Sequence, residues 1–289
     1  MEHHQRARTG GEQQDTSATT QKKKRKEVAL YGNYRNYYGY RIGQDLEEDP
    51  RLKAMKKEWF EDKDCLDIGC NSGVITIAIA QKFSCRSILG IDIDGARVND
   101  AYWTLRRKVK SIRTVPAGGD KLAESNTVNC LKHPVAESLN KRAKNDCTSP
   151  HHLQEGDFYD IVSFKKGDFI QNWHPRDNKS YDTIICLSVS KWVHLNWGDE
   201  GLITLFSKVW RLLSPGGVFI LEPQPWKSYY DNRLVSETTR INYQNIKIRP
   251  EDFQDILLDK IGFRMVEDIT SSVSGCKTGF KRPILAFWK

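Results

Sequence analysis

The 289-residue chain contains no run of about 18 apolar residues, which excludes a membrane-spanning helix of ordinary length. Its opening, MEHHQRARTGGEQQ, has no apolar stretch of the kind a secretory signal needs, so no export is expected. Cysteine is sparse and odd in number: seven residues, no two of them in a C-x-x-C pair. That count and spacing argue against a disulfide framework or a zinc site and for reduced thiols in the cytosol or nucleus, with no metal expected. The G-x-G-x-x-G turn of dinucleotide enzymes is missing as well. Apolar residues make up only 38% of the chain and charged residues 28%, so part of it is expected to stay outside any packed core.

What the chain has in excess is positive charge, +8 overall, placed unevenly. Residues 1–30 hold seven Lys and Arg against four Asp and Glu, and residues 106–155 hold ten against five. The remainder is balanced. A neutral body with basic appendages suits a polyanionic partner, although basic tails can also serve solubility alone. Residues 1–28 read as a disordered tail ending in the run Lys22 to Lys26, a candidate nuclear-import signal. Residues 112–155 are rich in Ser, Asn, Lys, Gly and Pro and read as a disordered insert within a domain spanning 29–289.

Within that domain, strands and helices alternate. Cys65 to Ile68 is a short apolar strand, Gly69 to Gly73 a turn, and Val74 to Lys82 a helix. Ser87 to Ile91 is a second strand ending at Asp92. Further strands are expected at 160–164, Tyr181 to Leu187, Val218 to Leu221, 263–269 and 283–288. Asp199 is expected to cap a helix carrying Leu202, Phe206, Val209 and Leu213 on one face, stopped by Ser214-Pro215-Gly216-Gly217. A last helix is expected from about Pro250 to Lys260. Alternation of this kind predicts an α/β fold with a doubly wound, mostly parallel sheet of seven strands.

Four segments carry chemistry. Gly69 and Gly73 stand between a strand and a helix N-terminus, where backbone can approach a ligand closely. Asp92 ends the next strand, 19 residues after Gly73, where a carboxylate accepts from both hydroxyls of a ribose. Tyr31 to Arg41 packs five Tyr and two Arg into eleven residues, a combination suited to a phosphate-binding lid. Cys186 to Gly201 contains K-W-V-H-L-N-W-G-D-E-G and follows a strand, so Lys191, His194 and Asn196 are expected at the ligand crevice. Glu222-Pro223-Gln224-Pro225-Trp226 ends another strand and is expected to wall the same crevice.

Leu66 to Gly73 resembles the first motif of S-adenosylmethionine-dependent methyltransferases, and Leu212 to Gly217 resembles their late helix-to-strand turn. The Tyr-rich segment, the K-W-V-H-L-N-W-G-D string and E-P-Q-P-W together resemble the bicoid-interacting family of methylphosphate capping enzymes. The resemblance implies a class I methyltransferase fold with S-adenosylmethionine as cofactor. It also implies methyl transfer to the 5′ γ-phosphate of a small nuclear RNA, in the nucleus. By motif matching, Tyr37, Arg51, Gly69, Cys70, Asn71, Asp92, Ile93, Asp168, Phe169 and Leu187 fall at cofactor positions. Tyr37, Arg41, Lys191 and His194 fall at phosphate-side, catalytic positions. A monomer acting on RNA with a 5′ phosphate end is implied, with a La-related protein as partner in a ribonucleoprotein. Two other readings stay open: a methyltransferase for 5′-monophosphate RNA, and a scaffold that retains RNA with little turnover.

Overall fold

The computed structural model describes residues 29–41, 48–113, 155–175, 179–270 and 282–289. The Lys22 to Lys26 run and all but the ends of the 112–155 segment lie outside the described residues.

Seven strands form one sheet in the order β3-β2-β1-β4-β5-β7-β6. They are β1 (Asp64–Ile68), β2 (Ser87–Asp92), β3 (Val162–Lys166), β4 (Tyr181–Leu187), β5 (Leu213–Glu222), β6 (Met265–Asp268) and β7 (Leu285–Trp288). All pairings are parallel except those of β7 with β5 and β6. This is the doubly wound sheet that the alternation predicts, in keeping with the class I methyltransferase fold that the resemblance implies. The central strands are mostly apolar because helices cover both faces. Cys65, Ile185, Ile220 and Ala286 face one core cluster, while Leu66, Ile184, Phe219, Leu221 and Phe287 face the other. That alternation is the two-residue period of a pleated strand.

On the first face lie α3 (Val74–Phe83) and α4 (Gly95–Arg113), the latter burying Val98, Ala101, Leu105 and Val109. On the second lies α6 (Ser190–Leu212), which buries Leu202, Leu205, Phe206 and Val209. The order of strands reverses between β1 and β4, so their C-terminal ends splay apart and leave a crevice.

Three local expectations change. Ser190–Leu212 is two helical stretches joined at Gly198, whose φ 66° and ψ −166° are non-helical, so the expected helix does begin beside Asp199 and a further one precedes it from Ser190. The Asp199 side chain does not cap it. Its carboxylate instead accepts from His194 Nε2 at 2.7 Å and from the backbone N–H of Lys247 at 3.0 Å. Leu213 opens β5, and a register shift opposite Tyr181 and Thr183 absorbs Ser214 to Gly217. The last helix begins as a single 3-10 turn and continues as a π-helical turn over Ile256–Ile261, closed by left-handed Gly262.

Candidate active site

A cleft of about 890 Å³ occupies the crevice above β1 and β4. Its floor is the turn after β1, where Gly69 (φ 77°) and Gly73 (φ 72°) adopt left-handed backbone. A Cβ at Gly69 would stand 2.3 Å from Val189 Cγ2, so only glycine lets the two loops meet. Asn71 holds φ 49° between them, and its backbone N–H donates to Asp92 Oδ2 at 2.9 Å. The Asp94 N–H donates to Asp92 Oδ1, also at 2.9 Å. The Asp92 carboxylate is thus aimed from two sides, and each oxygen retains lone-pair capacity for a ligand hydroxyl. Burial, only partly offset by these N–H donors, raises its pKa to about 6. Asp67, beneath it, is raised likewise to about 6 by burial and accepts from Thr76 Oγ1 at 2.6 Å.

The other end of the cleft is walled by Ile93, Asp168, Phe169, Ile170 and Leu187. Phe169 stacks on Trp173 at 5.5 Å. A carboxylate placed for a ribose, a flat apolar slot beside it and a close-approach glycine turn fit S-adenosylmethionine. Asp92, Gly69, Asn71, Ile93, Phe169 and Leu187 are the residues that can hold it.

The segment Leu30 to Arg41 crosses the top of this cleft, its end forming the short helix α1 (Tyr37–Arg41). Each anchor is specific. Tyr31 stacks on Trp197 at 5.7 Å, and Tyr34 meets Trp192 edge-on at 5.9 Å. Asn33 donates to Asp94 Oδ2 at 2.6 Å, and Asn71 donates to the Tyr34 carbonyl at 3.2 Å. A Cβ at Gly32 (φ 68°) would overlap the Trp192 indole, so the strap lies directly on that ring. The Tyr-rich segment is therefore a lid.

Beside the first cleft lies a second of about 740 Å³, lined by Tyr34, Tyr37, Lys191, Gln224, Ser228 and Arg282 among others. The helix α7 (Trp226–Asn232) forms its outer wall. Gly32, Tyr37, Ser188 and Trp192 border both clefts and mark where one opens into the other. Ser188 sits just past β4 with φ 64°, a costly conformation for a serine that this setting over-determines. Its Oγ donates to Glu222 Oε2 at 2.5 Å and accepts from Tyr37 OH at 3.0 Å and Arg282 Nη1 at 2.8 Å. Lys191 Nζ donates to Ser228 Oγ at 3.0 Å and lies 4.1 Å over the Trp192 ring. Among the described residues no carboxylate forms an ion pair with it. Burial, with the Arg282 guanidinium second, brings its pKa down to about 7.

Residues 181–289 match the family described as bicoid-interacting protein 3. A protein of Arabidopsis thaliana named as a probable RNA methyltransferase is 59% identical over 266 residues, covering 91% of this chain and 82% of its own length. The U6 snRNA methylphosphate capping enzyme Amus of Drosophila melanogaster is 35% identical, covering 90% of this chain and 74% of its own. The chain belongs to the bicoid-interacting protein 3 family. The human 7SK snRNA methylphosphate capping enzyme is 36% identical over 90% of this chain, which spans 39% of that longer protein.

In this bicoid-interacting family member the ten cofactor-side residues converge, with two qualifications. Cys70 points into the core, its thiol raised by burial and its Sγ 3.8 Å from the Asn71 carbonyl, so only its backbone belongs to the turn. Arg51, on the short helix α2 (Arg51–Ala54), reaches the cleft wall but is 1% exposed and bound to Asp49 and Glu222. The four phosphate-side residues divide. Tyr37 and Lys191 face the second cleft. Arg41 is 1% exposed, with its Nη2 2.6 Å from Glu222 Oε1, and stands behind Tyr37 rather than in the opening. His194 is fully buried, Nδ1 3.2 Å from Tyr229 OH and Nε2 2.7 Å from Asp199. Burial lowers its pKa, and it lines neither cleft. Asn196 donates to the Leu30 and Trp192 carbonyls and so fastens the lid. The residues that motif reading passed over are Ser188 as a junction and Arg282 as a cleft cation. Ser188 lay inside a recognised string, whereas Arg282 had no local signal in the sequence.

Proposed function

We propose that the chain transfers a methyl group from S-adenosylmethionine to the 5′-terminal phosphate of an RNA, the γ-phosphate of a small nuclear RNA. The observation that carries this reading is the second cleft. Lys191 and Arg282 are two cations from distant parts of the chain, and both face one chamber that opens onto the cofactor cleft at Ser188 and Tyr37. Two partly desolvated cations, with the Ser228 hydroxyl beside Lys191 still able to donate, suit a multiply charged phosphate end.

S-adenosylmethionine, when bound, supplies an electrophilic methyl on a sulfonium sulfur. The acceptor needs no general base, because a terminal phosphate with a second pKa of about 6 is largely a dianion at neutral pH. The work of the protein is alignment. Lys191 and Arg282 hold the phosphate, and Tyr37 and Ser188 position Arg282 at the junction. The lid excludes water, while Asp92 fixes the ribose. Arg41 acts one layer back by fixing Tyr37 and Glu222, and His194 by fixing Tyr229 on α7. On this reading the chain acts as a monomer.

The γ-phosphate reading is supported by the snRNA methylphosphate capping relatives, which match 90% of the chain at 34–36% identity. The 5′-monophosphate methyltransferases match at lower identity, 25% over 84% of the chain in the Xenopus laevis pre-miRNA enzyme and 30% over 57% in the mouse protein. On the same reading the enzyme works in the nucleus, imported through Lys22 to Lys26, with a La-related protein as its ribonucleoprotein partner. The deciding assay is incubation with S-adenosylmethionine labelled on the methyl, offered RNAs differing only in a 5′ triphosphate, monophosphate or hydroxyl. Label is expected on the triphosphate RNA. Label on the monophosphate alone would assign the chain to that other activity, and label on none of the three would overturn the reading.

A further inference from the structure

The helix α4 has two unlike faces. Val98, Ala101, Leu105 and Val109 are buried against the sheet. Opposite them, Trp103, Arg106, Arg107 and Lys110 fall at positions i, i+3, i+4 and i+7, one stripe of a helix, and all are exposed. Trp103 is 55% exposed, the most open of the large aromatics among the described residues, and the Arg106 guanidinium carbon stands 5.1 Å from its ring centroid.

After Asp100 the helix contains no carboxylate. Among the described residues Arg106, Arg107 and Lys110 form no ion pair, whereas Lys227 pairs with Asp231 on α7 at 3.1 Å. On α8 (Glu237–Asn245), Arg240 pairs with Glu237 at 2.5 Å. Like charges three or four residues apart weaken a helix by a few tenths of a kcal/mol each. The stripe therefore keeps an arrangement that is unfavourable in the free protein and that a polyanion would relieve. An exposed indole among guanidinium groups adds a second requirement, a flat π-face. An acidic protein surface meets the charge alone, whereas single-stranded nucleic acid meets both.

The helix also begins beside the cofactor cleft. The helix starts at Gly95, three residues after the cleft carboxylate Asp92. At 1.5 Å per residue Trp103 lies about 12 Å along the axis from that end.

We propose that this outer face of α4 is a second RNA site, which holds a single-stranded segment downstream of the 5′ end by stacking one base on Trp103 and seating its phosphates on Arg106, Arg107 and Lys110. The proposal rests on the RNA reading given above, and its test separates the two. Wild-type chain, a W103A variant and an R106Q/R107Q/K110Q variant are compared. All the altered side chains are exposed, so equal thermal midpoints are expected. The probes are a 25-nucleotide single-stranded 5′-triphosphate RNA, a 5′-triphosphate dinucleotide and poly-glutamate. With the long RNA, the triple variant is expected to lose at least tenfold in affinity at 100 mM salt. Its log–log salt slope should flatten by about 2, near 0.7 for each of three phosphates. W103A is expected to lose about fivefold or more with little change of slope. Methylation of the dinucleotide should proceed at the same kcat/KM in all three. Unchanged affinity and slope in the triple variant overturn the proposal, as does poly-glutamate binding as tightly as the long RNA. If wild type methylates none of these RNAs but its α4 variants still lose long-RNA binding as stated, the 5′-phosphate reading fails and the α4 site stands.

Discussion

Two pairs of cations flank the junction of the clefts, and they differ in everything but charge. Arg41 and Arg51 lie behind the wall, each 1% exposed, sharing the Glu222 carboxylate at 2.6 and 3.1 Å with Asp49 alongside. Lys191 and Arg282 face the opening and are bound to hydroxyls. Burial alone would raise the Glu222 carboxyl, but Arg51, Arg41 and Arg282 outweigh it and hold it below the usual range. In the first pair, charge is consumed by charge and the product is a fixed wall. In the second, Lys191 forms no ion pair among the described residues and faces the cleft. An ion pair of the buried kind is weak evidence of net stabilisation, yet removing one partner strands the others.

The largest effect is therefore expected from the wall. Glu222→Gln leaves two buried guanidinium groups with one carboxylate between them, and should cost about 3–5 kcal/mol of folding free energy. A urea titration showing less than 1 kcal/mol would mean that water reaches this network and that the contrast between the pairs is false. Next comes the open pair. Lys191→Ala should lower kcat/KM for the 5′-triphosphate RNA by about 10²–10³, with S-adenosylmethionine affinity within twofold of wild type. Arg41→Ala should instead show up first as lost stability. If Arg41→Ala kept its melting temperature and lost only turnover, Arg41 would belong with the phosphate after all.

Asp92→Ala is expected to come third. It removes the acceptor at the ribose end and should weaken S-adenosylmethionine by about 1–3 kcal/mol in calorimetry. Full affinity in a folded variant would place the nucleoside elsewhere in the cleft.

These contrasts explain what could be read from sequence and what could not. The sheet was legible because its central strands are largely apolar runs bounded by turn residues, and Asp92 because a strand end one helix and one strand beyond a glycine turn is a position defined by topology. The Tyr-rich lid was legible as a composition. Burial of charge was not: Arg41 follows five tyrosines and looks like a phosphate donor until Glu222, 181 residues away, is found beneath it. The fate of the Asp199 side chain was hidden for a related reason. Asp199 has the chemistry of a cap, but the backbone at Lys247 and the His194 ring claim its carboxylate. Arg282 meets Ser188 across 94 residues of chain, a contact that no local pattern announces.

The smallest expected effect sharpens the comparison most, because of these four cations only Lys191 titrates near neutrality. Burial sets the Lys191 ammonium at about 7 in the free protein. Its folded-state pKa lies below the unfolded value of about 10.4. The folded chain therefore holds fewer protons between roughly pH 7 and 10.4. Over that window Lys191 makes stability rise with pH, and its burial cost is fully felt only below 7. A bound phosphate favours the ammonium, so above pH 7 binding takes up a proton and affinity falls as pH rises. From pH 7 to 8 the loss should be about fivefold for a single coupled proton. Below about 6 the phosphate itself loses its second charge, so affinity should peak between the two. Anisotropy titrations of the 5′-triphosphate RNA across pH 5.5 to 9 would show this profile. Lys191→Met should lower the whole curve and remove its alkaline limb, while a variant of the buried network that still folds should keep that limb. An alkaline limb surviving in Lys191→Met would assign the proton to another group and leave Lys191 as a fixed charge.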